Sequence, residues 1–309
     1  MQQNEKKLCN FIHFKNIKSH NEEINNLILL SDKKYFATCS NDKTIKIYNL
    51  TNFEEIISIQ EYSFIKNITE LKNGKIISCS LDGSIKIIKI FYSNKTYIFD
   101  NIIKAHNQCV YKVIELENKK LASCSEDKSI KIWQREKGNY KLIHNLEKDV
   151  FSIISIKKNI LVFGSFENKS ITFWDYEKNE IIKELKNIKT NGFINSISLI
   201  NEFLLGVGGH EFIYLIDIKN YQILINFETI SYVYCLIKLS DDTFLTGEDC
   251  GKIRNWKLSK DIIILIDTKE KILDNYVTSI IQPDDNTLIF SSTSSFNQGI
   301  EIYKIDINK

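Results

Sequence analysis

The sequence predicts an all-β fold, a propeller of seven four-stranded blades. Three observations predict it: one unit recurs along the 309 residues, that unit alternates apolar and polar residues, and no segment sustains a helical period. The recurrence is plainest in residues 38–49 (TCSNDKTIKIYN), 78–89 (SCSLDGSIKIIK) and 123–134 (SCSEDKSIKIWQ). Weaker copies follow at 165–176, 208–218, 248–258 and 296–306. Their bulky anchors, Tyr48, Ile88, Trp133, Trp174, Ile216, Trp256 and Tyr303, stand 40 to 47 residues apart. That spacing suits one four-stranded blade per unit.

Within a unit the strands follow in order. Thr44-Ile45-Lys46-Ile47-Tyr48 and Ser129-Ile130-Lys131-Ile132-Trp133 carry the period-two pattern of a half-buried strand. A short polar turn with Asn, Asp or Gly precedes each, then a second apolar stretch such as 34–38, then a third such as 24–30. The seventh unit ends near Asp306, after its third strand, whereas residues 8–14 (LCNFIHF) have no unit of their own and look like the outer strands at 97–101 and 140–145. The N-terminal strand is therefore expected to complete the last blade, which removes an open sheet edge. The expected organisation is a single domain over 1–309, with 1–18 as the closing strand and seven repeats across 19–309.

Composition narrows the function classes. Hydrophobic residues make up 43% and charged residues 26%, enough apolar matter for a core. Lys plus Arg (41) nearly balances Asp plus Glu (39), and the only arginines are Arg135 and Arg254. So even a charge, with so few guanidinium forks, argues against direct nucleic-acid binding and against a phosphate reader. No apolar run is long enough to span a bilayer, and 1–7 is polar with no apolar stretch behind it, so neither membrane insertion nor secretion is expected. Seven scattered cysteines do not form a disulfide framework; a reducing compartment, cytoplasm or nucleus, is expected.

The repeats resemble the WD40 family, and the resemblance runs essentially the whole chain. The third repeat carries the fullest signature: His106, Ser123, Asp127 and Trp133. In that family such a quartet forms a hydrogen-bonded chain tying three strands together, with Ser123 or Ser125 as its hydroxyl. The first repeat keeps His20, Thr38 and Asp42 but has Tyr48 for tryptophan. The second keeps Asp82 without a histidine, and Ile88 replaces the tryptophan. Trp174, followed by Asp175, and Trp256 are expected to play the same structural part in their repeats.

No residue pattern points to catalysis. Cys39, Cys79 and Cys124 share one strand position in three repeats, so they read as small buried side chains. The other cysteines lack paired-ligand spacing, so neither a zinc site nor any cofactor is expected. The histidines at 20 and 106 belong to the quartet, and Gly208-Gly209 reads as a turn pair. A propeller enzyme would need titratable groups converging on the channel, and none repeats at equivalent positions.

The resemblance also implies a docking face, where the first strand of each repeat begins. Its inward residues are Ile24, Ile65, Val110, Val150, Ile194, Val233 and Val277. Their flanks are Glu23 and Asn25, Phe64 and Lys66, Cys109 and Tyr111, Asp149 and Phe151, Phe193 and Asn195, Tyr232 and Tyr234, and Tyr276 and Thr278. Seven of these fourteen are aromatic in a chain that is 11% aromatic. The residue before each turn aspartate adds Asn41, Leu81, Glu126, Glu167, Gly209, Asp249 and Phe296. The expected partner-binding set is Phe64, Lys66, Tyr111, Glu126, Phe151, Phe193, Tyr232, Tyr234, Asp249, Tyr276 and Phe296. A second reading wedges the same rings between neighbouring blades. The expected function is a non-catalytic scaffold that binds other proteins or peptides as one subunit of a multiprotein complex. The alternatives are a component of a nuclear RNA- or chromatin-associated complex and a propeller enzyme.

Overall fold

In the first three repeats the turn between second and third strands is built identically. Lys43, Gly83 and Lys128 stand there in the left-handed region at φ 69°, 81° and 59°. Each donates its backbone N–H to the carbonyl of the serine three residues earlier. Only Gly83 fits its site without a side chain, because a Cβ there would lie 2.2 Å from the His106 carbonyl oxygen.

A computed structural model describes residues 10–157, 159–165, 167–189, 192–239, 243–259, 262–269, 276–293 and 299–306. Antiparallel sheets make up the fold, an all-β propeller; the described helical segments are two single turns, Glu117–Lys119 and Asp249–Gly251. The first repeat runs Ile24–Leu29, Tyr35–Ser40, Thr44–Asn49 and Glu55–Gln60 as one four-stranded sheet, and repeats two, three and four copy this order.

Seven separate blades are not what forms: the described strands assemble into six sheets. The fifth and sixth repeats share one six-stranded sheet, because Gln222–Lys238 runs unbroken from the outer edge of one into the inner strand of the next. The junction of the second and third repeats passes through the polar linker Ala105-His106-Asn107-Gln108, whereas this one reads Thr229-Ile230-Ser231-Tyr232, with no Gly, Pro, Asn or Asp to break extension. A bridge between His210 and Tyr232 continues the ladder across the junction.

The ring closes through the N-terminal strand. Asn10–Lys18 pairs with Gly299–Asp306, completing the sheet that holds Tyr276–Asp284 and Thr287–Thr293. The strand runs on to Lys18, past the 8–14 read from sequence, of which 8 and 9 lie outside the described residues.

The core lies between repeats rather than inside them. Seven apolar clusters of described residues each join two neighbours, the fifth with the sixth included. At one equivalent position in every repeat the side chain is small: Cys39, Cys79, Cys124, Gly164, Gly208, Gly247 and Ser291. The inward residue of the next repeat packs there; a Cβ on Gly164 would meet Ile194 at 2.3 Å, and one on Gly208 would meet Val233 at 2.6 Å. The cysteines are thus the largest side chains seen at a close-packed contact. Burial pushes the Cys124 thiol up to about 12, which keeps it protonated and inert.

Side chains on the inner strands also stitch each repeat to the next. Asn25 donates to the Ile65 carbonyl at 2.8 Å and Thr69 to that of Val113 at 3.0 Å. Across the closure, Thr278 donates to Ile24 at 2.8 Å and Ser279 to Leu27 at 3.0 Å. No described helix is long and apolar enough to cross a membrane.

Candidate functional site: the mouth of the propeller

A single backbone irregularity, repeated seven times, builds the mouth. In every repeat the ladder between first and second strands slips just after the inward residue, at Ile24, Ile65, Val110, Val150, Ile194, Val233 and Val277. These are β-bulges, which leave one residue unpaired and re-aim its side chain. The seven inward residues are all buried. The residues that follow them, Asn25, Lys66, Tyr111, Phe151, Asn195, Tyr234 and Thr278, all line one open cavity of ≈ 340 Å³. Glu23 and Tyr276, from the preceding flank, complete it. Simple strand alternation would have turned both flanks the same way; the bulge instead gives most of the cavity to the second.

One side of the mouth is aromatic. Tyr111 stacks on Phe151 with centroids 4.3 Å apart, and Phe151 meets Phe193 at 4.0 Å. Beyond them His210 stacks on Tyr232 at 3.8 Å, Tyr232 lies 6.3 Å from Tyr234, and Tyr234 4.9 Å from Tyr276. The rings brace one another across repeat boundaries, and Tyr111, Phe151, Tyr234 and Tyr276 also line the cavity. The other side is polar. There Asn41 accepts from Asn25 at 2.8 Å and from Lys66 at 3.0 Å, and donates to Glu23 at 3.1 Å.

Of the residues expected to bind a partner, Lys66, Tyr111, Phe151, Tyr234 and Tyr276 line the cavity. Phe193 and Tyr232 stand exposed on its rim, as does Phe64, with the Lys43 ammonium 6.0 Å from its ring centre. Glu126 is exposed beside Tyr111, and Asp249 starts the single helical turn in the sixth repeat. Phe296 lies outside the described residues. Glu23, Asn25, Asn195 and Thr278 also line the cavity; all four are flanks outside the expected set. His210 stacks on the rim residue Tyr232.

Beneath the mouth the third repeat carries a complete polar chain. Trp133 can only donate, and its Nε1–H reaches Ser123 Oγ at 2.9 Å. Ser123 in turn donates to His106 Nε2 at 2.7 Å, and His106 Nδ1 donates to Asp127 at 2.9 Å. Ser123 is therefore the strand hydroxyl; Ser125 caps the turn by accepting from the Asp127 amide at 3.1 Å. Burial lowers the His106 pKa to about 4 against the pull of Asp127. Burial works to raise Asp127, but hydrogen bonds from Ser129 and His106 and attraction to His106 outweigh it and leave about 2. The folded state thus binds fewer protons than the unfolded chain between the ordinary histidine value and 4, so stability falls as pH drops through that window. The expected result is a melting temperature that declines from pH 7 to 4, with a shallower decline in His106→Gln; equal slopes in the two proteins would refute it.

Other repeats solve the same burial problem differently. In the first, His20 bonds Thr38 at 2.8 Å and Asp42 at 2.9 Å, while the Tyr48 hydroxyl turns away to donate to Ser19 at 2.9 Å. In the second, Asp82 does not take the structural role expected of it: it is exposed and only accepts the Ser84 amide at 2.9 Å. Its place is taken by a pair that sequence reading missed, Glu61 and Lys86, which are 2% and 4% exposed and form an ion pair. Ser78 donates to Glu61 at 2.5 Å. The signal was present, because Glu61 precedes Ile65 by the interval at which His20 precedes Ile24 and His106 precedes Val110. In the fourth, the buried Trp174 packs edge-on to His144 at 6.4 Å. In the sixth, Trp256 donates to Thr246 at 2.9 Å, Thr246 donates to Glu248 at 2.9 Å, and Arg254 lies 2.8 Å from that carboxylate. Burial raises the Glu248 pKa against the attraction of Arg254.

The family described as WD domain, G-beta repeat matches residues 12–49 and 99–134, which take in most of the closing strand with the first three strands of the first repeat, and the end of the second repeat's outer strand with most of the first three strands of the third. The chain therefore contains WD40 repeats, in a β-propeller. No curated protein matches it significantly.

Proposed function

We propose that this WD40-repeat propeller is a non-catalytic platform that accepts a segment of a partner protein across its aromatic mouth, as one subunit of a larger assembly. One observation carries the reading: seven bulges aim one residue from every repeat into the same cavity. A surface assembled from all repeats at once depends on the closed ring, which suits a rigid scaffold. Exposed aromatic side chains held in place by their neighbours lose little freedom on contact, and that is the character of interface hot spots. The whole of 1–309 acts as one domain in this proposal, with its seven repeats sharing the task. Scarce arginine and an even charge favour a protein ligand over a nucleic acid. Five buried cysteines without disulfides, at 39, 79, 109, 124 and 235, suit work inside the cell.

The reading predicts the outcome of a quantitative pull-down from native lysate. A Phe151→Ala/Tyr234→Ala double variant with an unchanged melt should lose partners that the wild type retains, by about tenfold or more if one anchoring ring contacts the ligand. The same partner list for both proteins would move the contact surface to the opposite face or the outer rim.

A further inference from the structure

The innermost strands of neighbouring repeats are stitched through one recurring position, two residues beyond each inward residue. In the first repeat Asn26 accepts the Ile68 amide at 3.4 Å, and in the fifth Ser196 accepts that of Leu236 at 3.1 Å. In the sixth the Cys235 thiol donates to the Val277 carbonyl at 3.5 Å, and in the seventh Ser279 donates to that of Leu27 at 3.0 Å. Each of these matches a donor to an acceptor across a seam. The third repeat places Lys112 there, the only charged residue at this position in the seven repeats. Its ammonium makes one contact among the described residues, with Ser152 Oγ at 3.4 Å, and no carboxylate pairs with it. Ser152 is 2% exposed and holds the same position in the fourth repeat, yet its hydroxyl reaches no acceptor among the described residues. The backbone ladder is open at the same point. In the other six repeats the ladder resumes at this position, as it does with Lys112 opposite Cys124. In the fourth it resumes one residue later, at Ile153 opposite Phe163.

The seam between the third and fourth repeats thus gathers donors without an acceptor. A charge drawn out of water without a counter-charge is costly, and so is a buried hydroxyl that donates to nothing. Burial lowers the Lys112 pKa, and no carboxylate opposes it. Tyr111 and Phe151, the residues just before the pair, line the mouth cavity, which brings the seam to one residue below open solvent. We infer that this seam binds a small monovalent anion, of the kind of chloride, which accepts from the Lys112 ammonium and the Ser152 hydroxyl. The anion supplies the acceptor that the stitched seams carry in the protein itself, and so ties the third repeat to the fourth. This site stands whatever docks at the mouth.

The test follows thermal unfolding as sodium chloride replaces sodium gluconate at a constant ionic strength of about 0.2 M, which holds screening fixed, with the chloride NMR line width read on the same samples. The wild type should melt about 3 °C higher in chloride along a saturating curve, the shift expected when chloride stands about tenfold above its dissociation constant. It should also broaden the chloride line. Lys112→Met keeps the alkyl stem and removes the charge, so it should ignore the exchange of salts, leave the line sharp and melt above the wild type in gluconate. Ser152→Ala keeps the lysine and should weaken chloride binding several-fold. Equal shifts in wild type and Lys112→Met would be a general salt effect and would overturn the inference, as would a line still broadened by that variant. A Lys112→Met protein that melts below the wild type in gluconate would show the ammonium satisfied without an anion, and would overturn it too. Should Lys112→Met not fold, Ser152→Ala decides, because unchanged chloride binding in that variant refutes the site.

Discussion

Deleting residues 1–18 lowers the melting temperature by about 10 °C, the expected consequence of removing roughly 3 to 5 kcal/mol from a chain of this size. Among the described strands, Asn10–Lys18 alone pairs with the outer side of Gly299–Asp306, from Asn10 with Asp306 to Lys18 with Gly299. Its contribution is more than a ladder of backbone bonds. Phe11 packs against the cluster between the sixth and seventh repeats, and Ile17 against the one between the seventh and first. His13 pairs with Glu301 at 2.6 Å and sits edge-on to Tyr303, and Phe14 meets Phe53 at 6.0 Å. Without the strand, Gly299–Asp306 becomes an open edge able to pair with another chain, so aggregation should accompany the lower melt. A melt that does not move on deletion would mean that the ring is held by its inner stitches alone, such as Thr278 to Ile24.

Glu61→Ala is expected to cost about 3 to 5 kcal/mol, because it strands a buried lysine without its counter-charge. Lys86 is 4% exposed, and its ammonium bonds Glu61; Ser78 and Ser80 direct their hydroxyls to the same carboxylate. Removing the carboxylate therefore disappoints three donors at once. A Glu61→Met/Lys86→Met double variant removes both charges and should recover most of the loss, since a buried pair often contributes little net stability over well-packed apolar side chains. Equilibrium urea unfolding of the wild type, single and double variants measures all three. A single variant as stable as wild type would show that water reaches Lys86 and that the pair is not the keystone of the second repeat.

Much of this architecture was legible in the chain itself. The repeat spacing, the alternating strands and the use of an N-terminal segment to finish the last sheet are local properties or simple consequences of them. The quartet of the third repeat was legible by residue type, yet sequence left Ser123 and Ser125 equivalent. Only the register of Leu121–Ser125 against Ser129–Glu136 brings Ser123 within reach of both His106 and Trp133. The second repeat looked eroded because the search was for a histidine. Glu61 and Lys86 meet the same demand for buried polar satisfaction with a different pair of side chains.

Seven units, their inward residues and the aromatic enrichment of their flanks were determined by the sequence, since each depends on neighbours within a few positions or on simple recurrence. Tertiary structure decided two things. Six sheets formed rather than seven blades, because a bridge between His210 and Tyr232 carries the ladder across the junction of the fifth and sixth repeats. It also decided which flank faces the cavity, because the bulge after each inward residue exists only in the pairing of two strands. A pattern in one strand records which side chains prefer burial; where an unpaired residue points is settled by the partner strand against which it slips.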